Sequence, residues 1–143
     1  MKREKRIKWQ PLSGIAPTVR LRNLEYEPNL LVLNLEDEID KSAPILTINF
    51  SGFITFRIIE ESNLLKGAYD DGDESVTKIE KVTGYRYRWS LFTIVHSHYL
   101  KLFREQNVGI NQDVDIVHYL IFAAHEVVEV LVPEDCSPTA MWN

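Results

Sequence analysis

The segment HEVVE, residues 125–129, has the residue types of a zinc-hydrolase motif. In metalloproteases with the His-Glu-x-x-His pattern, two ligands at positions i and i+4 bind zinc from one face of a helix. The glutamate beside the first histidine acts as the general base. His125 and Glu129 have the spacing of the ligands, and Glu126 has the position of the base. The motif therefore raises the hypothesis of a metal-dependent hydrolase.

The residues around this motif favour a strand instead of a helix. Four of the six residues 127–132 are valine, which is stiff at χ1 and common in strands. In a strand, His125 and Glu129 would lie about 13 Å apart at roughly 3.3 Å per residue, too far to share one ion. We predict that residues 119–123 pair with 126–132 as an antiparallel hairpin with His125 at its tip, and that no metal ion binds there.

Other histidines and carboxylates could in principle hold a metal ion. His96 and His98 share no face if, as we predict, a strand ends near His96 and a helix begins at His98. Asp113, Asp115 and His118 offer three ligands, but no fourth ligand has a defined position. We therefore assign no metal to either set.

The sequence also lacks strong signals for a nucleophilic cysteine, a calcium site or a nucleotide-binding motif. Cys136 is the single cysteine, in a segment flanked by prolines where nothing local favours a reactive thiolate. The tract DDGDE, residues 70–74, lacks the alternating spacing and the distal glutamate of a calcium-binding EF-hand loop. A glycine-rich phosphate loop, a nucleophile elbow and a dinucleotide fingerprint are all missing from the sequence. We therefore predict a protein that is not an enzyme and has no cofactor.

Length and composition are those of one globular domain, residues 1–143. Hydrophobic residues make up 45% and charged residues 26%, which is ordinary for such a protein. No apolar run approaches the roughly 20 residues of a membrane helix, and the N-terminus does not resemble a secretory signal. The single cysteine excludes an internal disulfide. We expect a cytoplasmic protein without a membrane partner.

The net charge of −5 is unevenly distributed. Residues 1–8, MKREKRIK, carry five basic residues and one acidic residue, so the remainder has 11 basic and 20 acidic residues. We expect residues 1–8 to form a basic, flexible arm. The acidic remainder argues against nucleic-acid binding, which requires Lys and Arg at the phosphates. It suits a basic protein partner, although net acidity also keeps a small protein in solution.

The apolar pattern predicts strands joined by short turns. Ser51-Gly52 has the residues of a two-residue hairpin turn between two of these strands, 45–50 and 53–59. A helix of about three turns, 98–107, follows from Ser97 as N-cap and Gly109 beyond its end. Residues 60–84 are rich in acids and glycines and predict a long loop. The remaining predicted strands outside the C-terminal hairpin are 18–26, 30–36 and 84–95.

These elements predict an α+β domain. Its core would be a mainly antiparallel, twisted sheet of about six or seven strands, with the single helix, about 98–107, packed on one face.

Residues 44–138 resemble a diffuse group of small uncharacterised bacterial proteins. The likeness rests on LFTIVHS, the helix start HYLKLF and the run HYLIFAAHEVVEVLV, preceded by ILTINFSGFITFRIIEE. Some proteins of this group resemble immunity proteins, cytosolic antitoxins that block a bacterial toxin by binding it. The resemblance implies a binding role and carries over no catalytic residues.

We therefore expect a non-catalytic binding protein whose partner is a protein, with immunity to a toxin domain as the sharpest form. A structural module that forms a homo-oligomer is the main alternative, and a metal-dependent hydrolase using HEVVE is the third. The expected partner-binding residues are Asp70, Asp71, Asp73, Glu74, His125 and Glu126.

Overall fold

The computed structural model describes residues 3–60, 78–80, 86–87, 89–109 and 112–143. Within these ranges the chain forms eleven strands and one helix. The strands are β1 (Lys5–Lys8), β2 (Val19–Glu27), β3 (Leu30–Asp37), β4 (Leu46–Ser51), β5 (Thr55–Glu60), β6 (Lys78–Glu80), β7 (Arg86–Tyr87), β8 (Leu91–Val95), β9 (Ile116–Phe122), β10 (Glu126–Pro133) and β11 (Thr139–Trp142). The helix α1 is His98–Gln106.

Nine of these strands form two sheets. The first sheet has the order β1-β8-β9-β10-β5 and the second has the order β11-β4-β3-β2, while β6 pairs with β7. Neighbouring strands in both sheets are antiparallel. The prediction of mainly antiparallel strands with one helix is confirmed. The strands are divided between two sheets, however, where we expected six or seven strands in one.

The division arises at the connection between β4 and β5, which we had predicted to be a hairpin. In the structure β4 pairs with β3 and β11, whereas β5 pairs with β10. The Gly52 N–H donates to the Asn29 carbonyl of the second sheet, and the Ile54 N–H donates to the Leu131 carbonyl of the first. Gly52 adopts φ 73°, a left-handed conformation that suits glycine. The turn residues were recognised correctly, but they carry the chain from one sheet to the other.

Two other connections form hairpins, and the second of them, at the C-terminus, was predicted. β2 and β3 join through Pro28-Asn29, with Glu27 opposite Leu30 and Asn29 at φ 67°. β9 and β10 join through Ala124-His125, with Phe122 opposite Val127.

The helix also begins as predicted. Ser97 is its N-cap, and the Ser97 side chain accepts a hydrogen bond from the Leu100 N–H at 2.9 Å. The helix ends at the C-cap Asn107, and Gly109 follows at φ 86°. No helix in the described ranges is long and apolar enough to cross a membrane.

The main core lies between the two sheets. Alternate residues of β3, namely Leu31, Leu33 and Leu35, are buried there, as strand periodicity requires. Each such side chain contributes roughly 1.5–3 kcal/mol when removed from water. From the first sheet, the Tyr119 ring packs against Phe50 at 5.6 Å and Trp9 at 4.8 Å between ring centroids. The opposite face of the first sheet carries α1.

The predicted flexible arm is partly built into the first sheet. Residues 5–8 form β1, which pairs with β8 and gives its backbone N–H and C=O groups partners at that edge. Arg6 is buried in this strand. The carboxylate of Glu4 accepts a hydrogen bond from the His98 N–H at 2.6 Å, at the start of α1. The arm is therefore a strand that also caps the helix, instead of a solvated tail.

The predicted strand 84–95 is interrupted. β7 and β8 are separate strands, and Trp89 and Ser90 lie between them. The Trp89 indole donates to the Trp9 carbonyl at 3.0 Å, and the Ser90 hydroxyl donates to the Pro17 carbonyl at 2.6 Å. Of the predicted acidic loop 60–84, residue 60 closes β5 and 78–80 form β6, whereas 61–77 and 81–84 lie outside the described residues.

Candidate functional site

HEVVE lies at the hairpin tip and in the strand that follows it. His125 is exposed in the turn, and Glu126 begins β10. Glu129, four residues after His125, is completely buried inside the strand. The helical face that would bring both side chains to one metal ion does not form, so the prediction of a strand hairpin is confirmed.

Glu129 instead belongs to a polar cluster beneath α1. Arg57 of β5 lies directly opposite Glu129 of β10. The Arg57 Nε donates to Glu129 Oε2 at 2.8 Å, and Arg57 NH2 is also 2.8 Å from this oxygen. The Glu129 side chain is 0% exposed and that of Arg57 is 37% exposed. Two contacts from one guanidinium stabilise a carboxylate that burial alone would strongly disfavour.

His118 connects this ion pair to the helix start. His118 of β9 is buried, and its Nδ1 lies 2.6 Å from the Ser97 Oγ. Since the Ser97 oxygen accepts from Leu100 N–H, the hydroxyl can donate to His118 Nδ1. His118 Nε2 lies 3.4 Å from Glu129 Oε2, outside good hydrogen-bond geometry. Ser97, His118, Glu129 and Arg57 thus form a chain of polar contacts from helix to sheet.

Tyr99 covers this chain from the helix side. Its ring packs edge-on against His118 at 5.5 Å, and the Arg57 guanidinium carbon lies 4.0 Å from its centroid. Burial raises the pKa of the Tyr99 phenol, although a hydrogen bond with Thr55 and the charge of Arg57 act in the opposite direction. We name the group formed by Arg57, Ser97, Tyr99, His118 and Glu129 the helix anchor.

The order serine, histidine, carboxylate in the helix anchor is also that of a hydrolytic triad. Three features of the geometry oppose catalysis. The Ser97 oxygen caps α1, and the Glu129 carboxylate is committed to Arg57, so neither is available for its triad role. His118 is 1% exposed and cannot meet a substrate. The group holds the helix on the sheet.

The other candidate ligands are dispersed. His96 is exposed at φ 58°, and His98 Nδ1 lies 3.7 Å from Glu4 at the helix start. Asp113 and Asp115 line a shallow acidic cleft on the surface, whereas His118 is buried in the helix anchor. In the parts of the chain that the structure describes, no group of three or more His, Cys, Asp or Glu residues is placed to hold a metal ion.

Cys136 does not have the environment of a nucleophile. Partial burial, followed by the nearby Asp135 carboxylate, raises the pKa of its thiol. Its sulfur would lie 3.1 Å from a Cβ at position 52, so the side chain packs against Gly52 in the connection between the sheets. A raised thiol pKa leaves little thiolate at neutral pH.

Partly and fully exposed apolar side chains lie along the edge strand β5. Phe56, Ile58 and Glu60 lie on one face of β5, as alternate residues must. At one end, Phe56 joins Phe53 and Tyr26 in a three-ring cluster with centroids 5.6–5.9 Å apart. Tyr26 is 63% exposed and Ile58 is 47% exposed.

The other end of this strip is acidic. Glu60 of β5 lies directly opposite Glu126 of β10, next to the exposed His125. Like charges that face each other across a sheet destabilise it. The Glu60–Glu126 pair therefore lowers the free energy of unfolding, and stability alone does not explain its presence. We name the surface formed by Tyr26, Phe53, Phe56, Ile58, Glu60 and Glu126 the β5 strip.

The sequence indicated only part of this surface. His125 was expected at an exposed tip and is there, whereas Glu126 is half-buried at the start of β10. The role of both residues in partner binding stays a prediction. The other four expected binding residues, Asp70, Asp71, Asp73 and Glu74, lie outside the described residues. Tyr26, Phe53 and Phe56 were missed because they come together only when β5 leaves the second sheet. The one hint in the sequence was Phe53, an aromatic residue immediately after a turn glycine.

No protein-family model, no curated protein and no solved structure matches this chain. The function is therefore inferred from the chemistry of its surfaces.

Proposed function

We propose that this chain is a non-catalytic binding protein that docks on a basic protein partner through the β5 strip. In its sharpest form the partner is a toxin domain, which the chain blocks by contact in the cytoplasm. The resemblance of residues 44–138 to immunity-like proteins supports this form of the proposal.

The observation that carries the proposal is a strip with the facing pair Glu60 and Glu126 at one end and a partly exposed aromatic cluster at the other. Aromatic side chains supply much of the binding energy at protein interfaces. Two carboxylates held together at one end favour Lys or Arg on the partner, because a cation there removes their mutual repulsion. The chain's net charge of −5 favours the same kind of partner.

The proposal is tested with the product of the neighbouring open reading frame. We expect that co-expression of the chain protects cells from that product, and that the two purified proteins form a complex. The double variant Tyr26→Ala, Ile58→Ser should weaken the complex about 30-fold or more, as loss of a central aromatic contact typically does. Isothermal titration calorimetry measures the affinity.

Val108→Ala is the matched control, because Val108 is 81% exposed and lies after α1, outside the β5 strip. Equal affinity of the double variant and the control would reject the β5 strip as the interface. Failure of a well-folded chain either to bind or to protect would reject the toxin-blocking role.

The acids outside the described residues need a separate test. Replacing Asp70, Asp71 and Asp73 by Asn and Glu74 by Gln removes four negative charges. If these residues belong to the interface, the affinity and its dependence on salt both fall. An unchanged salt dependence would confine the interface to the β5 strip.

The homo-oligomer alternative uses the same exposed side chains against a second copy. Sedimentation over a wide concentration range distinguishes it. A dimer that the double variant Tyr26→Ala, Ile58→Ser dissociates would assign the β5 strip to self-association instead of to a basic partner.

A further inference from the structure

The two larger sheets have four edge strands among the residues that the structure describes. They are β1 and β5 in the first sheet and β2 and β11 in the second. The outer side of an edge strand presents backbone N–H and C=O groups that can pair with another extended chain. Proteins usually block such edges with charged side chains, bulges or very short strands. The four edges of this chain differ in these features.

Three of the edges carry at least one blocking feature. β1 has the sequence KRIK, with three cations in four residues. β2 has a bulge between Leu21 and Asn23, and four of its nine residues are charged. β11 has only four residues and follows Pro138 closely. Each of these strands is therefore a poor template for an added strand.

β5 lacks these features. Its sequence TFRIIE contains neither proline nor lysine, and its register with β10 is regular from Thr55 to Glu60. Its one cation, Arg57, is directed back over the sheet, because its guanidinium binds the Glu129 carboxylate of β10 and packs on the Tyr99 ring. Arg57 therefore does not guard the outer side of β5, and this edge is open to an added strand.

The side chains of β5 indicate which strand would fit there. Glu60 lies opposite Glu126, and Phe56 and Ile58 share the face of Glu60. A strand with Lys or Arg beside Glu60 would offset the repulsion of the two carboxylates. Apolar residues beside Ile58 and Phe56 would remove apolar surface from water. A second copy of the chain would bring a second net charge of −5, which opposes self-pairing.

We propose that the basic partner adds an extended strand to β5, antiparallel to it, with a Lys or Arg beside Glu60. Main-chain hydrogen bonds would supply affinity, and the alternating side chains would supply specificity. Strand addition rests on the proposed docking function of the β5 strip and specifies the form of the partner. The first sheet would then grow from five strands to six.

A synthetic peptide and its N-methylated analogues test strand addition. The parent peptide is Lys-Thr-Val-Thr-Val-Thr, blocked at both ends, which in an antiparallel register places Lys beside Glu60 and the two Val beside Ile58 and Phe56. One analogue is N-methylated on its even-numbered amides and the other on its odd-numbered amides. NMR titration of the full chain measures the affinities.

Only one of the two analogues should lose affinity, because an added strand directs alternate N–H groups to its neighbour. Loss of two or three main-chain hydrogen bonds should weaken that analogue at least about tenfold. The other should stay within about threefold of the parent peptide, since its methyl groups face away from β5. Equal affinities of the two analogues, or no binding of the parent peptide, would overturn strand addition.

A second pair of peptides tests the charge of the added strand. Replacing the Lys of the parent peptide by Glu should weaken binding at least about fivefold at low salt. Glu60→Gln in the chain should reduce this difference to about twofold. Glu134→Gln is the matched control, because Glu134 is also exposed but lies outside the β5 strip, and it should leave the difference unchanged. Equal binding of the Lys and Glu peptides would show that the added strand is not recognised as basic, against the proposal.

Amide hydrogen exchange of the full chain shows what covers β5. Outward-facing amides of β5 should exchange fast in the free chain, and saturating parent peptide should slow their exchange. Slow exchange in the free chain at every concentration would mean that the chain itself covers this edge. Slow exchange that appears only at high chain concentration would mean that a second copy covers it. Either result would contradict strand addition by a basic partner.

Docking and strand addition can fail separately. Suppose that the double variant Tyr26→Ala, Ile58→Ser weakens the complex with the neighbouring gene product, but that complex formation leaves the exchange of the β5 amides unchanged. The β5 strip is then the interface, and strand addition is wrong. If complex formation slows these amides while the double variant and Val108→Ala bind equally, strand addition stands, and the proposed contribution of Tyr26 and Ile58 is wrong.

Discussion

The β5–β10 ladder contains two facing pairs of charged residues, one of opposite charges and one of like charges. Glu129 faces Arg57, and the pair is covered by α1; Glu126 faces Glu60, and the pair lies at the open end of the same two strands. The first pair joins a fully buried carboxylate to a guanidinium that is 37% exposed. The second holds like charges where water and a partner have access.

This difference separates a structural role from a binding role within one motif. A buried carboxylate must have a cation or several donors, because its desolvation is otherwise too costly. An exposed pair of carboxylates is tolerated, because water screens their repulsion. Residues of the helix anchor should therefore govern the free energy of unfolding. The exposed residues of the β5 strip, Tyr26, Ile58 and Glu60, should govern binding and have little effect on stability.

The largest effect on stability is expected for Arg57→Ala. The substitution leaves the Glu129 carboxylate buried without its guanidinium, so the free energy of unfolding should fall by about 3 kcal/mol or more. Urea unfolding measures the change. Glu126→Ala is the control in the same strand and should change the free energy of unfolding by less than about 0.5 kcal/mol. Similar losses in the two variants would remove the distinction between the pairs.

Ser97→Ala should have the next largest effect. It removes the N-cap of α1, which is worth about 1 kcal/mol, and leaves His118 Nδ1 without the Ser97 hydroxyl. We expect a total loss of about 2 kcal/mol in the free energy of unfolding, since a buried unsatisfied group adds its own cost. Ser97→Thr retains a capping hydroxyl and should recover most of the loss. If both variants are equally unstable, the cap and the histidine contact are not the cause.

Glu60→Lys should have a small effect in the opposite direction. It converts the like-charged pair with Glu126 into an attractive pair, so the free energy of unfolding should rise by about 0.5 kcal/mol. The same variant should weaken binding to the proposed basic partner, measured by calorimetry. A variant that is both less stable and fully competent in binding would contradict the binding role of this pair.

The smallest expected effect appears at alkaline pH. Since burial raises the folded-state pKa of Tyr99 above its usual value of 10.0, the neutral phenol stabilises the fold below that pH. This contribution is lost as the pH rises through the raised pKa. Unfolding at a series of pH values should show the decline, and Tyr99→Phe should make it shallower. The Tyr119 phenol, whose pKa burial also raises, should account for part of the decline that persists.

Local patterns predicted the elements well where their partners are close in the chain. The valines of HEVVE and the Ser97 cap each specify a structure through contacts with nearby residues. The β4–β5 hairpin was wrong because Gly52 permits the turn but does not choose the strands on either side of it. That choice depends on Asn29 and Leu131, which accept the hydrogen bonds of the connection from two different sheets.

The candidate sites were less predictable for the same reason. Glu126 could be placed next to the hairpin turn, because the hairpin is local. Glu129 could be placed in a strand, but its arginine partner is 72 residues away in the sequence. Tyr26 and Phe56 are separated in a similar way, and only the pairing of β5 with β10 brings the aromatic cluster together.

By itself, the sequence determined that HEVVE belongs to a hairpin, because valine stiffness and period-2 burial act over a few residues. It also determined where α1 begins, through the hydroxyl of Ser97. Only the tertiary structure decided that the two carboxylates of this motif have different surroundings. One meets Arg57 beneath a helix and the other meets Glu60 at a surface, because β5 leaves the sheet of its predecessor and pairs with β10.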